Sequence, residues 1–332
     1  MAEYRPGLSP AVAEVRRGVR ASLPADGLVL AALSGGPDSL ALSAALAFEA
    51  AGRAGAVIVD HGLLDGSDAV AEQARRQAVA LGLDPVVVVR ATVASEAGDG
   101  PEAAARGARY SALAAAARDT GAVAVLLGHT LDDQAETVLL GLGRGSGGGS
   151  LQGMPRASGL YRRPLLGIRR AVTEQACADQ DLIPWSDPHN LDPAFTRVRV
   201  RRNVLPVLEA ELGPGVAEAL ARTAEQLRED EDAFATMIDE VAEELAEHID
   251  AGIAVPVAAL AANPAALRQR VIRFVVQSEF GVSLSRAHTL EIARLVTDWH
   301  GQAGVDVPGI RVVRANGRIE FRAREDATRG HD

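Results

Sequence analysis

Lysine is missing altogether from the 332 residues, and all 34 basic side chains are arginine. No side-chain amine can therefore form a Schiff base, act as a general base or clamp a phosphate. A Walker A loop, which ends in Gly-Lys-Ser/Thr, is excluded. Cysteine occurs once, at Cys177, which rules out an internal disulfide and any Cys-x-x-Cys metal or redox site. A lone thiol of this kind is expected to be a small buried side chain. Aromatics are only 3% of the chain, so alanine, valine and leucine must fill its core. No apolar run approaches the ~18 to 20 residues that span a bilayer. The longest candidate, 112–127, is broken by Arg118-Asp119. Glu3, Arg5, Arg16, Arg17 and Arg20 stand near the N-terminus with no apolar stretch behind them, so no secretory signal is visible. These absences lead us to expect a cytoplasmic protein with no membrane partner.

With 48% apolar residues, the chain can build a sizeable core, and its length suits two domains. The net charge of −10 is unevenly spread. Residues 144–202 hold ten arginines against five acids, residues 203–250 two against fourteen, and residues 268–324 ten against five. Two basic blocks flanking an acidic helix can still engage phosphate locally.

The first 130 residues alternate strand and helix signals. Leu28 to Leu33, Ala56 to Asp60, Pro85 to Arg90 and Val123 to Gly128 are short, nearly continuous apolar runs, as in strands covered on both faces of a parallel sheet. Alanine-rich helical stretches at 38–52, 68–82 and 101–121 separate them. This order predicts a doubly wound α/β domain with its ligand at the C-terminal edge of the strands. Residues 143–150 read as a glycine-rich mobile loop. They satisfy GxGxxG but follow a helix, which argues against a dinucleotide fingerprint. Beyond them, 220–245 shows helical periodicity, a second helix opens at Asn263-Pro264, and Ile310 to Phe321 reads as a hairpin around Asn316-Gly317. We expect an α/β catalytic domain over 1–209 and a mainly helical C-terminal domain over 210–332.

Two motifs carry chemistry. Ser34-Gly35-Gly36-Pro37-Asp38-Ser39 follows the first predicted strand and opens the first helix. Its glycines admit phosphate close to the backbone, the helix N-terminus points N–H groups at the anion, and Pro37 suits the first helical turn. Asp38 cannot bind phosphate directly and suggests an intervening Mg²⁺. Gly128-His129-Thr130-Leu131-Asp132-Asp133-Gln134-Ala135-Glu136-Thr137 follows the fourth strand. The spacing of His129, Asp133 and Glu136 puts them on one helix face. Thr130 with Asp133 equally forms a capping box, so the residues alone leave both readings open. The run Arg197, Arg199, Arg201, Arg202 alternates like one face of a strand and is read as a phosphate contact.

SGGPDS resembles the PP-loop signature of the N-type ATP pyrophosphatases, and the two motifs together resemble the tRNA(Ile)-lysidine synthetases. Asp60-His61-Gly62, Arg106-Gly-Ala-Arg109-Tyr110, the 128–145 block, Leu151 to Met154, Arg163 to Leu166, Asp187 to Asn190 and Thr196 to Asn203 extend the likeness over most of 28–208. Leu64 and Gly141 depart from it, each standing where the family has arginine. The resemblance implies that ATP adenylates C2 of the wobble cytidine in the CAU anticodon of tRNA(Ile). L-lysine then displaces AMP to give lysidine. It implies ATP binding by residues 34–39 and by Asp60, His61, Gly128 and His129, with Mg²⁺ at Asp38 and Asp133. Catalytic roles fall to Asp38, Asp133, Glu136, Arg106 and Arg109, with Glu136 a candidate for the lysine amine. The alternative is another PP-loop adenylating enzyme acting on tRNA or a small-molecule carbonyl. A thiolase needs more cysteine than this chain has, and an amidotransferase needs an ammonia source that is not evident. A homodimer is left open.

Overall fold

A computed structural model describes residues 9–60, 62, 66–91, 101–145, 148–245, 247–249 and 252–324. The chain divides into two compact units, 1–227 and 228–332.

The first unit opens with α1 (Pro10–Ser22), whose N-cap Ser9 accepts the Val12 amide. There follow β1 (Val29–Ala32), α2 (Pro37–Glu49), β2 (Ala54–Asp60), α3 (Ser67–Ala80), β3 (Val86–Arg90), α4 (Pro101–Thr120), β4 (Ala124–Leu126) and α5 (Leu131–Arg144). The predicted strands and the helices between them are therefore present. After α5 come α6 (Gly148–Leu151), the short strands β5 (Ala157–Ser158) and β6 (Tyr161–Arg162), and α7 (Arg170–Ala178). A 3₁₀ turn at Pro188–Leu191, α8 (Thr196–Arg199), a π-helical turn at Val200–Val204, α9 (Leu205–Leu212) and the start of α10 (Val216–Leu245) complete the unit.

Two expectations change here. The glycine-rich stretch is not a loop throughout, since α5 runs to Arg144 and α6 begins at Gly148. The arginine run is helical, not extended: a buried acidic partner, described below, selects the i, i+4 spacing over the alternating one. Gly141 sits where α6 crosses α5, and a Cβ there would lie 2.3 Å from the Ser150 carbonyl oxygen. No side chain fits that crossing, which accounts for the missing arginine.

The sheet order is β3-β2-β1-β4-β6-β5, parallel except for the β5–β6 pair. Strand β1 is buried on both faces. Val29, Ala31 and Leu33 pack with α1, α2, α3 and α7, whereas Leu30 and Ala32 pack with Leu113, Ala116 and Ala117 of α4. The chain passes from β1 outward to β2 and β3, then returns to β4 on the other side. The crevice between β1 and β4 is thus the topological switch point, and α2 and α5 both start there.

The second unit contains the rest of α10, then β7 (Glu247–Ile249), β8 (Gly252–Pro256), α11 (Val257–Ala262), α12 (Ala265–Phe280), α13 (Arg286–Thr297), β9 (Val305–Val307), β10 (Ile310–Ala315) and β11 (Arg318–Ala323). The predicted hairpin is β10–β11, turning at Asn316-Gly317. It belongs to a larger antiparallel sheet, β7-β8-β11-β10-β9, so strands contribute more to this unit than its sequence pattern indicated. Phe321, Ile310, Val312 and Ile319 pack beneath Leu260, Ile272, Val276 and Ile292. Phe321 is fully enclosed. Phe321→Ala is expected to destabilise this unit by about 3–5 kcal/mol, the range for truncating a buried aromatic. Urea unfolding followed by circular dichroism measures it, and a shift below about 1 kcal/mol would show that the core collapses around the gap.

Candidate active site

At the switch point the end of β1 turns through Ser34-Gly35-Gly36 into α2. Gly35 has a φ of +88°, which strongly favours glycine. Ser39 Oγ donates to the Gly36 carbonyl at 3.0 Å and accepts the Ser34 amide at 3.2 Å, so the loop closes on itself. Gly128, at the end of β4, approaches the Asp38–Ser39 backbone so closely that a Cβ would come within 3.1 Å of it. The two sequence motifs therefore meet.

Asp133 divides its two oxygens between local and long-range work. Oδ2 accepts the Thr130 amide at 2.8 Å and its hydroxyl at 3.0 Å, forming the capping box of α5. Oδ1 accepts Nη2 of Arg170 at 2.9 Å and of Arg201 at 3.1 Å. The capping and site readings are compatible because each uses a different oxygen. Burial opposes ionisation of Asp133, yet the Arg170 guanidinium and the Thr130 amide hold its carboxyl below the usual range. Asp38 behaves differently. Burial pushes its carboxyl above the usual range, and Arg170 and the Thr173 hydroxyl, which donates to Oδ1, only partly offset this.

Glu136 is wholly buried and bound by arginines on every side. Arg197 Nε reaches Oε2 at 3.0 Å, Arg201 Nε reaches Oε1 at 2.5 Å, and Arg170 Nη1 lies 3.5 Å from Oε1. Arg170 also places Nε 3.3 Å from Asp38 Oδ2. Three carboxylates thus face three guanidinium groups. Arg197 and Arg201 are committed to the acidic cluster, so of the arginine run only Arg199 and Arg202 are exposed.

Arg170 and Thr173, on the first turn of α7, were not singled out by sequence reasoning. Arg170 is 132 residues from Asp38, and only the fold joins them. The α7 start is itself docked on α5, because the Arg170 amide donates to Asp132 Oδ2 at 2.7 Å.

The two predicted arginines of α4 separate. Arg109 lines the cavities described below, and burial lowers its pKa. Arg106 lies exposed beside the Tyr110 ring, 5.0 Å from its centroid. Burial likewise holds His129 neutral, bringing its pKa down to about 3, and its enclosed Nδ1 has no hydrogen-bond partner among the described residues. Asp60, at the end of β2, accepts the Gly62 amide at 2.9 Å, while His61 lies outside the described residues. Cys177 is buried as expected, its thiol pKa pushed up to about 11.

Two cavities meet at the loop. One, of about 410 Å³, is mainly apolar and bounded by Val57, Ile58, Val59, Val70, Leu113 and Trp185. The other, of about 690 Å³, is polar and runs past Gly36, Ser39, Asp133, Arg170, Arg201 and Arg202. An apolar chamber opening onto a helix N-terminus rimmed with arginine suits a base joined to a polyphosphate. Among the described residues no group of three or more His, Cys, Asp or Glu is placed to hold a metal, and no helix is long and apolar enough to cross a membrane.

A nucleotide loop of this form at a parallel-sheet switch point defines a PP-loop protein. The PP-loop domain family model matches residues 14–208, and the TilS substrate binding domain model matches 256–320. The tRNA(Ile)-lysidine synthase of Leifsonia xyli subsp. xyli is 63% identical over 298 residues, covering 89% of each chain. That of Thermobifida fusca is 49% identical over 92% of this chain and 95% of its own. The solved U34-tRNA thiolase NcsA from Methanococcus maripaludis superposes with a TM-score of 0.55 at 19% identity, over 66% of this chain and 80% of that one, which shows the shared fold. The chain belongs to the tRNA(Ile)-lysidine synthase family.

Removing Glu136 would leave three guanidinium groups short of a buried partner. Glu136→Ala is expected to cost about 3–5 kcal/mol, as for other broken buried pairs. Glu136→Gln, which keeps the shape and one acceptor, should cost less. Chemical denaturation of both variants tests this, and equal stability of Glu136→Ala and wild type would show that the arginines find other partners.

Proposed function

We propose that this chain joins L-lysine to C2 of the wobble cytidine in the CAU anticodon of tRNA(Ile), using ATP and passing through an adenylated tRNA. The observation that carries the reading is the phosphate-binding loop at the start of α2 facing the Asp38–Arg170–Asp133 cluster across the switch point. It occurs in a chain 63% identical to an enzyme of that name.

In this scheme the adenosine enters the apolar cavity and the triphosphate follows the loop into the polar one. The cytidine O2 attacks the α-phosphorus, the bond to the β-phosphate breaks, and pyrophosphate leaves. The ε-amine of lysine, after losing a proton, attacks C2 and AMP departs with O2. Loop amides and Ser34 and Ser39 hold phosphate oxygens, and Arg109 stands beside the reacting phosphate. Asp38 and Asp133 fit a Mg²⁺ ion, a hard cation usually held by one or two carboxylates together with phosphate and water. Such an ion would offset charge on the triphosphate.

Glu136 takes a different part from the one expected. It does not border the polar cavity, and its oxygens face Arg197 and Arg201. We assign it to holding those arginines, and assign the lysine ammonium to the polar cavity. A cation is the natural partner for a carboxylate in a cavity that must also admit two polyanions. Free arginine would carry the charge, but its guanidinium stays protonated and is a poor nucleophile.

Asp38→Asn is expected to lower tRNA-dependent ATP–pyrophosphate exchange about a hundredfold or more. Its melting temperature should match or exceed that of wild type, because burial already penalises the Asp38 charge. Normal exchange by the folded variant would remove Asp38 from the chemistry. Labelled lysine, and not arginine or glutamine, should attach to a CAU-anticodon tRNA(Ile) transcript, and a wobble uridine should abolish transfer. Efficient labelling of the uridine transcript would return the assignment to a general PP-loop ligase. Charge reversal at Arg199 and Arg202 should weaken tRNA binding and lower the slope of log affinity against log salt by about 1.5. An unchanged slope would show that this face is turned away from RNA.

A further inference from the structure

The apolar and polar cavities share four lining residues: Ala32, Ser34, Arg109 and Trp185. Any ligand with its base in one and its phosphates in the other must thread this waist. Ala32 ends β1, Ser34 follows it in the loop and Arg109 lies on α4, whereas Trp185 comes from beyond α7. It lies on the segment between α7 and the Pro188 turn, and its amide donates to the Gly35 carbonyl at 2.9 Å. Its Cβ is also the nearest atom to the position a Gly35 Cβ would occupy, at 3.6 Å. The same residue thus forms part of the apolar chamber and is tied by its backbone to the phosphate loop. Among the described residues lining that chamber Trp185 alone is aromatic; the others are small or aliphatic, apart from Ser34, Asp60, Ser67, Arg109 and Asp187.

We propose that Trp185 is a positioning residue for ATP: its indole packs on the purine and fixes where the α-phosphate crosses the waist beside Ser34 and Arg109. The proposal rests on reading the paired cavities as an ATP site. A base is held mainly by stacking, because every base presents a π-face, and replacing the aromatic partner with alanine weakens binding about 5- to 150-fold. Stacking on Trp185 also accounts for the rigid link to Gly35. A wall that moved independently of the loop would let base and phosphates bind while leaving the α-phosphorus misplaced, and small misplacements are costly to reaction rate.

The chain has only two tryptophans, Trp185 and Trp299, so Trp299→Phe leaves a single reporter. In that background ATP and AMP should quench the remaining emission with the same midpoint as calorimetry, and pyrophosphate should not. Trp185→Ala should bind ATP and AMP about tenfold or more weakly yet bind pyrophosphate like wild type, because the loop amides are intact. Trp185→Phe, which keeps a stacking face, should restore most of the affinity that Trp185→Ala loses. Emission indifferent to bound ATP, or wild-type ATP affinity in Trp185→Ala, would overturn the proposal and leave the ATP site standing. Equal loss of pyrophosphate and ATP binding in both variants would make Trp185 a structural prop and overturn it too. Failure of the wild-type chain to bind ATP by calorimetry would overturn the site reading together with the proposal.

Discussion

Three carboxylates, Asp38, Asp133 and Glu136, are drawn into one low-dielectric crevice, and each must find a cation. An unpaired buried charge costs far more than a domain can supply, so the partners are obligatory. Arg170, Arg197 and Arg201 meet that need, and in doing so they fix where α7 and α8 lie against α5. Three guanidiniums balance three carboxylates in charge. Asp38 is the exception: burial outweighs its neutralisation, so its carboxylate is the one most in need of an additional cation.

Around this cluster the parallel sheet supplies the rest of the geometry. Because β1 and β4 are neighbours while their connections run to opposite sides, two helix N-termini converge on one crevice. One brings the amides of the Ser34–Ser39 loop, the other a carboxylate whose second oxygen is free of capping duty and accepts from Arg170 and Arg201. In the proposed scheme the base lies against the apolar wall made by β2 and α4. Activation and amine transfer can then occur in adjoining spaces, with the reacting phosphate between them.

Local signals made much of this legible. Strands buried on both faces reveal themselves as unbroken apolar runs, and Ser34 to Ser39 and Gly128 to Thr137 lie where a strand hands over to a helix. What was not legible depended on distant partners. The segment Arg197-Val-Arg-Val-Arg201 satisfies both a period of two and a spacing of i, i+4. Glu136, sixty-odd residues away, decides for the helix by binding the two arginines that the second spacing brings together. Arg170 carries no mark in sequence at all, being one of a pair of adjacent arginines after a glycine-isoleucine step. Glu136 stood out by its spacing from His129 and Asp133, but its burial beneath three guanidiniums is a property of the packed state. Of the strands in the C-terminal unit only the β10–β11 hairpin announced itself, since β7 and β9 are three residues each, too short for a periodic signal.

The cations that rim the polar cavity, Arg109, Arg170, Arg201 and Arg202, are all guanidiniums. A chemist designing a vessel for an activated carbon electrophile and an amine would ask what else inside could react. Guanidinium groups stay protonated and are inert toward such a centre, whereas a lysine in any of these positions would compete with the substrate amine and acquire the nucleoside itself. In the proposed scheme this wall would bind phosphate without offering a rival nucleophile. Chemoselectivity in that scheme is built into this lining, since the chain has no lysine and the reacting amine arrives from solution.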